Sequence, residues 1–406
     1  MSMAVVTGLA AFSACGQQAP SNEAVPADFS PRGYSRQETA DDDAASYWQG
    51  LLSQLTLEEK IGQLFIIRPD QVDLSFEPSS QHSHYSHART LSASMQETLK
   101  KYPAGGFIIF DKNIESTKQL LAFTQQMREV SRVVPFVSVD EEGGSVTRLA
   151  HAPSKGFKLK QYKSMASIGA TKDNSRALEA GTVIGTYLKE YGFNLDFAPV
   201  ADVNTNPKNI VIGDRAFGSD PQLVAGMVNA FVDGLHAGGV LSCTKHFPGH
   251  GDTSSDTHSG AVVVNKTWEQ LKETELVPFA ASAGNTDLIM IAHINLPNAT
   301  SDGLPASLSK ELLTGKLRGE MGYEGLIITD SLAMGAIQNH YDSAEAAVLA
   351  LEAGVDILLM PLDYVGAFSG VAEAVKSGRI SEERINESVL RILKAKAAVT
   401  EGQIIK

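Results

Sequence analysis

Two segments of the chain carry side chains whose types and spacing suit proton-transfer and covalent chemistry. The first runs Lys245-His246-Phe247-Pro248-Gly249-His250-Gly251-Asp252-Thr253-Ser254-Ser255-Asp256-Thr257-His258. Its glycines and proline favour a loop of defined shape. Asp256 and His258 are two residues apart, so in an extended or turn segment the carboxylate can approach the imidazole. A carboxylate there fixes the tautomer and stabilises the imidazolium. A histidine so held can protonate a leaving group and later deprotonate water. The second segment is Gly325-Leu326-Ile327-Ile328-Thr329-Asp330-Ser331-Leu332-Ala333-Met334, in which a lone carboxylate follows an apolar run. Such a carboxylate can attack an anomeric carbon and give a covalent glycosyl-enzyme. The same residues have plainer readings. Asp330 also suits a helix cap, and Asp256 a turn. Lys245 and Arg148 can be surface charges, His293 a pocket-wall residue, and His250 a residue that shapes its loop.

The elements that must position these groups are short apolar runs alternating with helical segments. Strand candidates lie at 63–67, 106–110, 135–139, 194–198, 240–244, 288–292, 326–329 and 357–360. Their continuous apolar character predicts burial on both faces, as in a parallel sheet. Helices are expected at 116–130, 175–191, 221–237, 269–283, 344–353 and 381–398. Thr56-Leu57-Glu58-Glu59 has the form of a capping box. Gly192, Gly238 and Gly354 stand where a left-handed helix C-cap favours glycine. Eight strands alternating with helices fit either a closed barrel or an open doubly wound sheet. No Gly-x-Gly-x-x-Gly follows the first strand, which counts against a dinucleotide-binding fold. A TIM-type (β/α)8 barrel predicts functional residues directly after its strands. The chain places Asp140-Glu141-Glu142 and Arg148, then Asp202 and Asn204, Lys245-His246, His293 and Asp330 after five different strands.

The 406 residues suit one barrel domain of this size. A formal net charge of −13 argues against non-specific nucleic-acid binding. Two cysteines rule out a disulfide framework, and Cys243, in an apolar run, reads as a buried free thiol. The other, Cys15, ends a short apolar segment as Ser13-Ala14-Cys15-Gly16, a pattern similar to a bacterial lipobox. No Lys or Arg precedes that segment, and Phe12 stands where leucine is usual. The expected organisation is a lipoprotein-like signal over 1–15, a flexible linker over 16–46 rich in Ala, Pro, Ser and Asp, and a catalytic domain over 47–406. The protein would then be exported and held by an N-terminal lipid anchor facing the periplasm or the cell exterior, as a monomer. His82, His84 and His87 lie in a serine-rich loop without nearby Cys, which argues against a metal site. No metal or organic cofactor is called for.

Together the two segments resemble glycoside hydrolase family 3, in its single-domain β-N-acetylhexosaminidase branch. The Lys-His-Phe-Pro-Gly-His-Gly-Asp run carries the family likeness, and the following Asp-x-His that of the branch. The likeness extends from about Leu51 to the last helix. It implies Asp330 as nucleophile of a retaining mechanism and His258 as acid/base assisted by Asp256. It implies that Asp140, Arg148, Arg215, Lys245 and His246 hold hydroxyls of the non-reducing sugar. Arg215 lies in Ile212-Gly213-Asp214-Arg215-Ala216-Phe217-Gly218, which matches the family closely. A histidine in place of the second carboxylate departs from the usual glycosidase pair. The implied substrates are β-linked N-acetylglucosamine at the ends of peptidoglycan fragments (muropeptides) or chitin oligosaccharides. Two other readings remain beside it: a β-glucosidase-like member of the same family, and a sugar-binding lipoprotein without turnover.

Overall fold

In the computed structural model the described residues are 41–75, 88–251 and 262–406. The strands are β1 Phe65–Ile67, β2 Gly106–Ile108, β3 Phe136–Val139, β4 Leu195–Asp196, β5 Cys243–Phe247, β6 Val262–Val263, β7 Leu288–Ile291, β8 Ile294–Asn295, β9 Leu326–Thr329 and β10 Leu358–Leu359. One parallel sheet has the order β10-β1-β2-β3-β4, and a second the order β5-β7-β9. Parallel bridges join them at both edges, Leu195 to Leu241 on one side and Ile328 to Ile357 on the other. Backbone bonds cross both seams, from Asp196 N to Leu241 O at 2.9 Å and from Ile357 N to Ile327 O at 3.0 Å. The result is a ring of eight parallel strands, the expected TIM-type barrel. β6 and β8 form a separate parallel pair.

The strands pair into a ring because they are apolar on both faces. Every residue of β1, β2, β3, β7 and β9 is buried. Helices cover the outside and are capped where polar residues precede them. Ser116 caps Thr117–Val130, Asp220 caps Pro221–Gly238, Asp342 caps Ser343–Ala353 and Ser381 caps Glu382–Ala398. The capping box at Thr56 and Glu59 is formed. The last helix buries Ile385, Val389, Ile392 and Leu393 along one stripe, as its period predicts.

Four expectations are corrected. The fifth strand lies three residues further on than the apolar run, so Lys245 and His246 are inside β5 rather than after it. The helix expected at 269–283 is two helices, Trp268–Glu273 and Val277–Ser282, with Pro278 in the first turn of the second. Proline cannot donate in a helix interior but fits a first turn, which sets this break. Gly238 is still helical, and the left-handed cap is Gly239 at φ 86°. A helix over Asp41–Leu52 starts within the stretch assigned to the linker. Tyr364–Lys376 is a further helix with no counterpart in the sequence reading.

Candidate active site

The C-terminal ends of β3, β4, β5, β7 and β9 meet at one mouth of the barrel. β3 ends in three consecutive acids that go three ways. Asp140 is partly open to the mouth and takes Lys245 Nζ at 2.7 Å. Glu141 turns away, is fully buried, and accepts the backbone N–H groups of Arg148, Leu149 and Ala150 at 2.5, 3.0 and 3.0 Å and the Tyr187 hydroxyl at 2.8 Å. It thereby ties the segment that carries Arg148 to the end of β3. Glu142 turns back and receives both Arg215, bidentate at 2.8 and 2.7 Å, and Lys245 Nζ at 2.7 Å. Gly143 and Gly144 follow at φ 77° and 82°, where the chain must leave the strand in a left-handed conformation.

The charges compensate one another. Burial pushes the Glu142 carboxyl up, but the Arg215 and Lys245 cations outweigh it and hold the group well below the usual carboxylate range. Burial opposes the Lys245 charge, yet Asp140 and Glu142 keep it protonated with its pKa raised. Lys245 is 2% exposed, so the surface-charge reading is set aside. Arg148 reaches Asp140 at 3.6 Å and lies over the Phe110 ring at 5.4 Å.

His246 Nδ1 is 2.7 Å from Asp202 Oδ2, while Asp202 Oδ1 accepts the His250 backbone N–H at 2.5 Å. Burial raises the Asp202 carboxyl but His246 outweighs it, so the net shift is downward. The other His246 nitrogen faces Arg215 Nη2 at 3.5 Å. The His250 ring packs 6.2 Å from that of His246. Burial lowers the His250 pKa, against the pull of Asp202 and, more weakly, of Asp330.

Asp330 follows β9 directly. Its N–H donates to Ile291 O at 2.9 Å and its Oδ1 accepts the Ser331 N–H at 2.7 Å. It caps no helix, since the next one, Gly335–Gln338, starts after Met334. His293, at the end of β7, is 1% exposed and bonded to Ser307 and Ser331, so it belongs to the wall. Asp140, Arg148, Arg215, Lys245, His246 and Asp330 thus converge on the mouth. Asp256, His258, Cys15, His82, His84 and His87 lie outside the described residues. Glu142 and Asp202 stand at strand ends where no pattern in the sequence assigns them a role, and the structure makes them the anions that hold the cations and the imidazole. Cys243 is a buried free thiol whose pKa burial raises well above its ordinary value. Among the described residues no cluster of His, Cys, Asp and Glu could hold a metal ion.

Residues 56–395 match the glycosyl hydrolase family 3 N-terminal domain. The chain is 33% identical over 342 residues to beta-hexosaminidase A of Pseudoalteromonas piscicida, covering 77% of this chain and 56% of that protein. It is 35% identical over 281 residues to the beta-hexosaminidase of Tolumonas auensis, covering 68% and 81%. Among solved structures it is similar to a glycoside hydrolase family 3 beta-N-acetylglucosaminidase from Paenibacillus sp., with a TM-score of 0.77 and 36% identity, over 86% of this chain and 64% of that one. The chain therefore spans somewhat over half the length of the first of these relatives.

Proposed function

Because the chain belongs to glycosyl hydrolase family 3, we propose that it is a retaining exo-glycosidase that removes β-linked N-acetylglucosamine from the non-reducing ends of peptidoglycan fragments or chitin oligosaccharides. The observation that carries this reading is the charge-compensated set of Asp140, Glu142, Arg215, Lys245, His246 and Asp202, most of it buried, beside Asp330 at one barrel mouth. Such a set presents fixed donors and acceptors to sugar hydroxyls. Its cations and imidazole are already oriented by anions, so little reorganisation is needed when substrate binds.

In the proposed reaction Asp330 attacks the anomeric carbon while His258 protonates the departing glycosidic oxygen, with Asp256 supporting the imidazolium. The glycosyl–Asp330 ester forms as the glycosidic bond breaks. His258 then takes a proton from water, which displaces Asp330, and two inversions give net retention. Export and lipid attachment at Cys15 belong to the same proposal. Labelling with a radiolabelled fatty acid in cells, lost on Cys15→Ser, tests that part.

The main test is hydrolysis of 4-nitrophenyl N-acetyl-β-D-glucosaminide by the full chain, beside the matching glucoside. Release from the first alone supports the proposal. Release from the glucoside alone overturns the specificity and keeps the nucleophile. No release from either favours a sugar-binding protein. Asp330→Ala is expected to lower kcat by at least about 10³-fold, since the covalent step is lost; near-normal turnover rejects the assignment.

A further inference from the structure

We infer that Asp202 is a positioning residue that fixes the His246 ring with its proton on Nδ1, so that His246 meets a substrate hydroxyl through the lone pair of Nε2 and accepts a hydrogen bond from it. The inference rests on the reading of the barrel mouth as a sugar site made above. Strand register brings the two residues together. Val200 bridges Lys245 in parallel, and the Ala201 N–H donates to Lys245 O at 2.6 Å. The next residues along the two chains, Asp202 and His246, therefore stand side by side. The Asp202 carboxylate is fully buried, and both of its oxygens are engaged. Oδ2 lies 2.7 Å from His246 Nδ1, and Oδ1 accepts the His250 N–H at 2.5 Å. The second bond keeps the carboxylate from turning away from the ring.

Each ring nitrogen has a neighbour that can play only one part. A carboxylate accepts, so Nδ1 carries the proton. Nε2 lies 3.5 Å from Arg215 Nη2, and a guanidinium only donates, so Nε2 carries the lone pair. Which nitrogen of a histidine is protonated follows from the bond that the other makes. The 3.5 Å contact is at the outer limit of a hydrogen bond, and Nη2 has Glu142 Oε1 at 2.7 Å as its close partner. The lone pair is thus open to a shorter bond from a hydroxyl. Nδ1 is closed off by Asp202, which leaves Nε2 as the nitrogen that a ligand can reach, on a side chain that keeps 10% of its surface exposed. Arg148, Arg215 and Lys245 at the same mouth can only donate. A hydroxyl that accepts from one of these cations through its oxygen can give its own hydrogen to Nε2. A group that cannot donate does not replace it.

Asp202→Asn tests the inference because an amide has a single acceptor atom. The His250 N–H takes the carbonyl oxygen, so the amide N–H is turned to Nδ1 and the ring proton moves to Nε2. An amide in place of a histidine's carboxylate partner holds the wrong tautomer. Nitrogen-15 spectra of the full chain labelled at histidine read the ring directly, with the His246 signals identified by their loss in His246→Gln. The unaltered chain is expected to show Nδ1 protonated and Nε2 bare, and Asp202→Asn the reverse. A ring protonated on Nε2 or on both nitrogens in the unaltered chain overturns the inference, as does an Asp202→Asn variant with the same tautomer. The spectrum of the unaltered chain decides the matter even where Asp202→Asn fails to fold. Kinetics read the consequence. Asp202→Asn is expected to lower kcat/KM on the aryl N-acetylglucosaminide about 10- to 100-fold. Fluorine in place of the 3-, 4- or 6-hydroxyl of that substrate accepts weakly and cannot donate. At one of these positions it should cost the unaltered chain about 10- to 100-fold and Asp202→Asn less than about threefold. Equal losses for the two proteins at every position mean that Asp202 is merely structural and overturn the inference. If the unaltered chain hydrolyses neither aryl glycoside, the glycosidase reading fails and takes the hydroxyl contact with it. Turnover by an unaltered chain whose Nε2 is protonated sinks this inference alone.

Discussion

Glu142 is an anion shared by two cations of the site, one of which, Lys245, also reaches Asp140. Arg215 and Lys245 both reach it at 2.7 Å, and its side chain is 1% exposed. Removing one partner of a buried ion pair leaves uncompensated charge in a poor solvent, at a cost of about 3–5 kcal/mol. Glu142→Gln is therefore expected to lower unfolding stability by an amount of that order and to lower kcat/KM sharply, since Lys245 and Arg215 lose their common anchor. Urea denaturation beside kinetics on the aryl glycoside checks both, and a variant with unchanged midpoint removes the argument. Asp140, Arg148, Lys245 and His246 are legible as charged and titratable groups gathered at strand ends, whereas Arg215 is legible only through the likeness of its 212–218 segment to the family, which also implies the sugar-binding role of all five. The roles of Glu142 and Asp202 are not legible. Spacing cannot say which of three successive acids, 140–142, turns to the mouth, to the chain or to the cations. That choice is made by where Arg215 arrives from the next barrel loop and where Lys245 rises from β5.

At the scale of elements, the displaced β5 shows how a hydropathy reading goes astray. An apolar run predicts a strand that stops at the first charge, yet Lys245 and His246 continue this one because Asp140, Glu142 and Asp202 meet them in the mouth. Tertiary pairing overrides local pattern. A second case lies between the helices Asn174–Glu190 and Pro221–Gly238, where Gly181 and Gly185 face Gly234 and Gly238. A Cβ on Gly234 would sit 2.4 Å from Leu178 O and 2.7 Å from Thr182 N, and one on Gly181 2.3 Å from Phe231 O. In sequence these glycines merely weaken a helix, by about 0.5–1 kcal/mol relative to alanine. In the fold they let two backbones touch. Gly234→Ala is thus expected to destabilise by about 1–3 kcal/mol through overpacking. Gly315→Ala, in the helical segment Glu311–Glu320 with nothing within 4 Å of the added carbon, is expected to be neutral or to stabilise by up to about 1 kcal/mol. Denaturation midpoints of the two variants decide the matter, and equal shifts would show that the close approach carries no energy.

For the molecule as a whole, the eight strands were readable because each is buried on two faces, but the seams at Leu195–Leu241 and Ile328–Ile357 depend on ring closure and leave no local mark. Closure also places acids of opposite behaviour in one interior. Glu142 and Asp202 are held below the carboxylate range, so their contribution to stability is complete above about pH 4 and is lost as the pH falls through their folded values. Asp196 in β4 does the reverse. It is fully buried, its Oδ1 accepts the Glu141 N–H at 2.9 Å, and its Oδ2 has no hydrogen-bond partner. Burial pushes its pKa well above the ordinary value. The folded chain therefore keeps a proton that the unfolded chain releases above about pH 4. Stability falls as the pH rises from there towards the folded pKa, by up to about 1.4 kcal/mol per pH unit from this group. Asn at this position keeps an oxygen for the Glu141 N–H and has no proton to lose. Asp196→Asn should match the unaltered chain near pH 4 and exceed it by a margin that widens towards pH 8. Thermal unfolding of both proteins across that range measures the margin. A margin that stays constant with pH would mean that Asp196 is charged in the folded barrel, and that a cation such as Lys245 compensates it despite its burial.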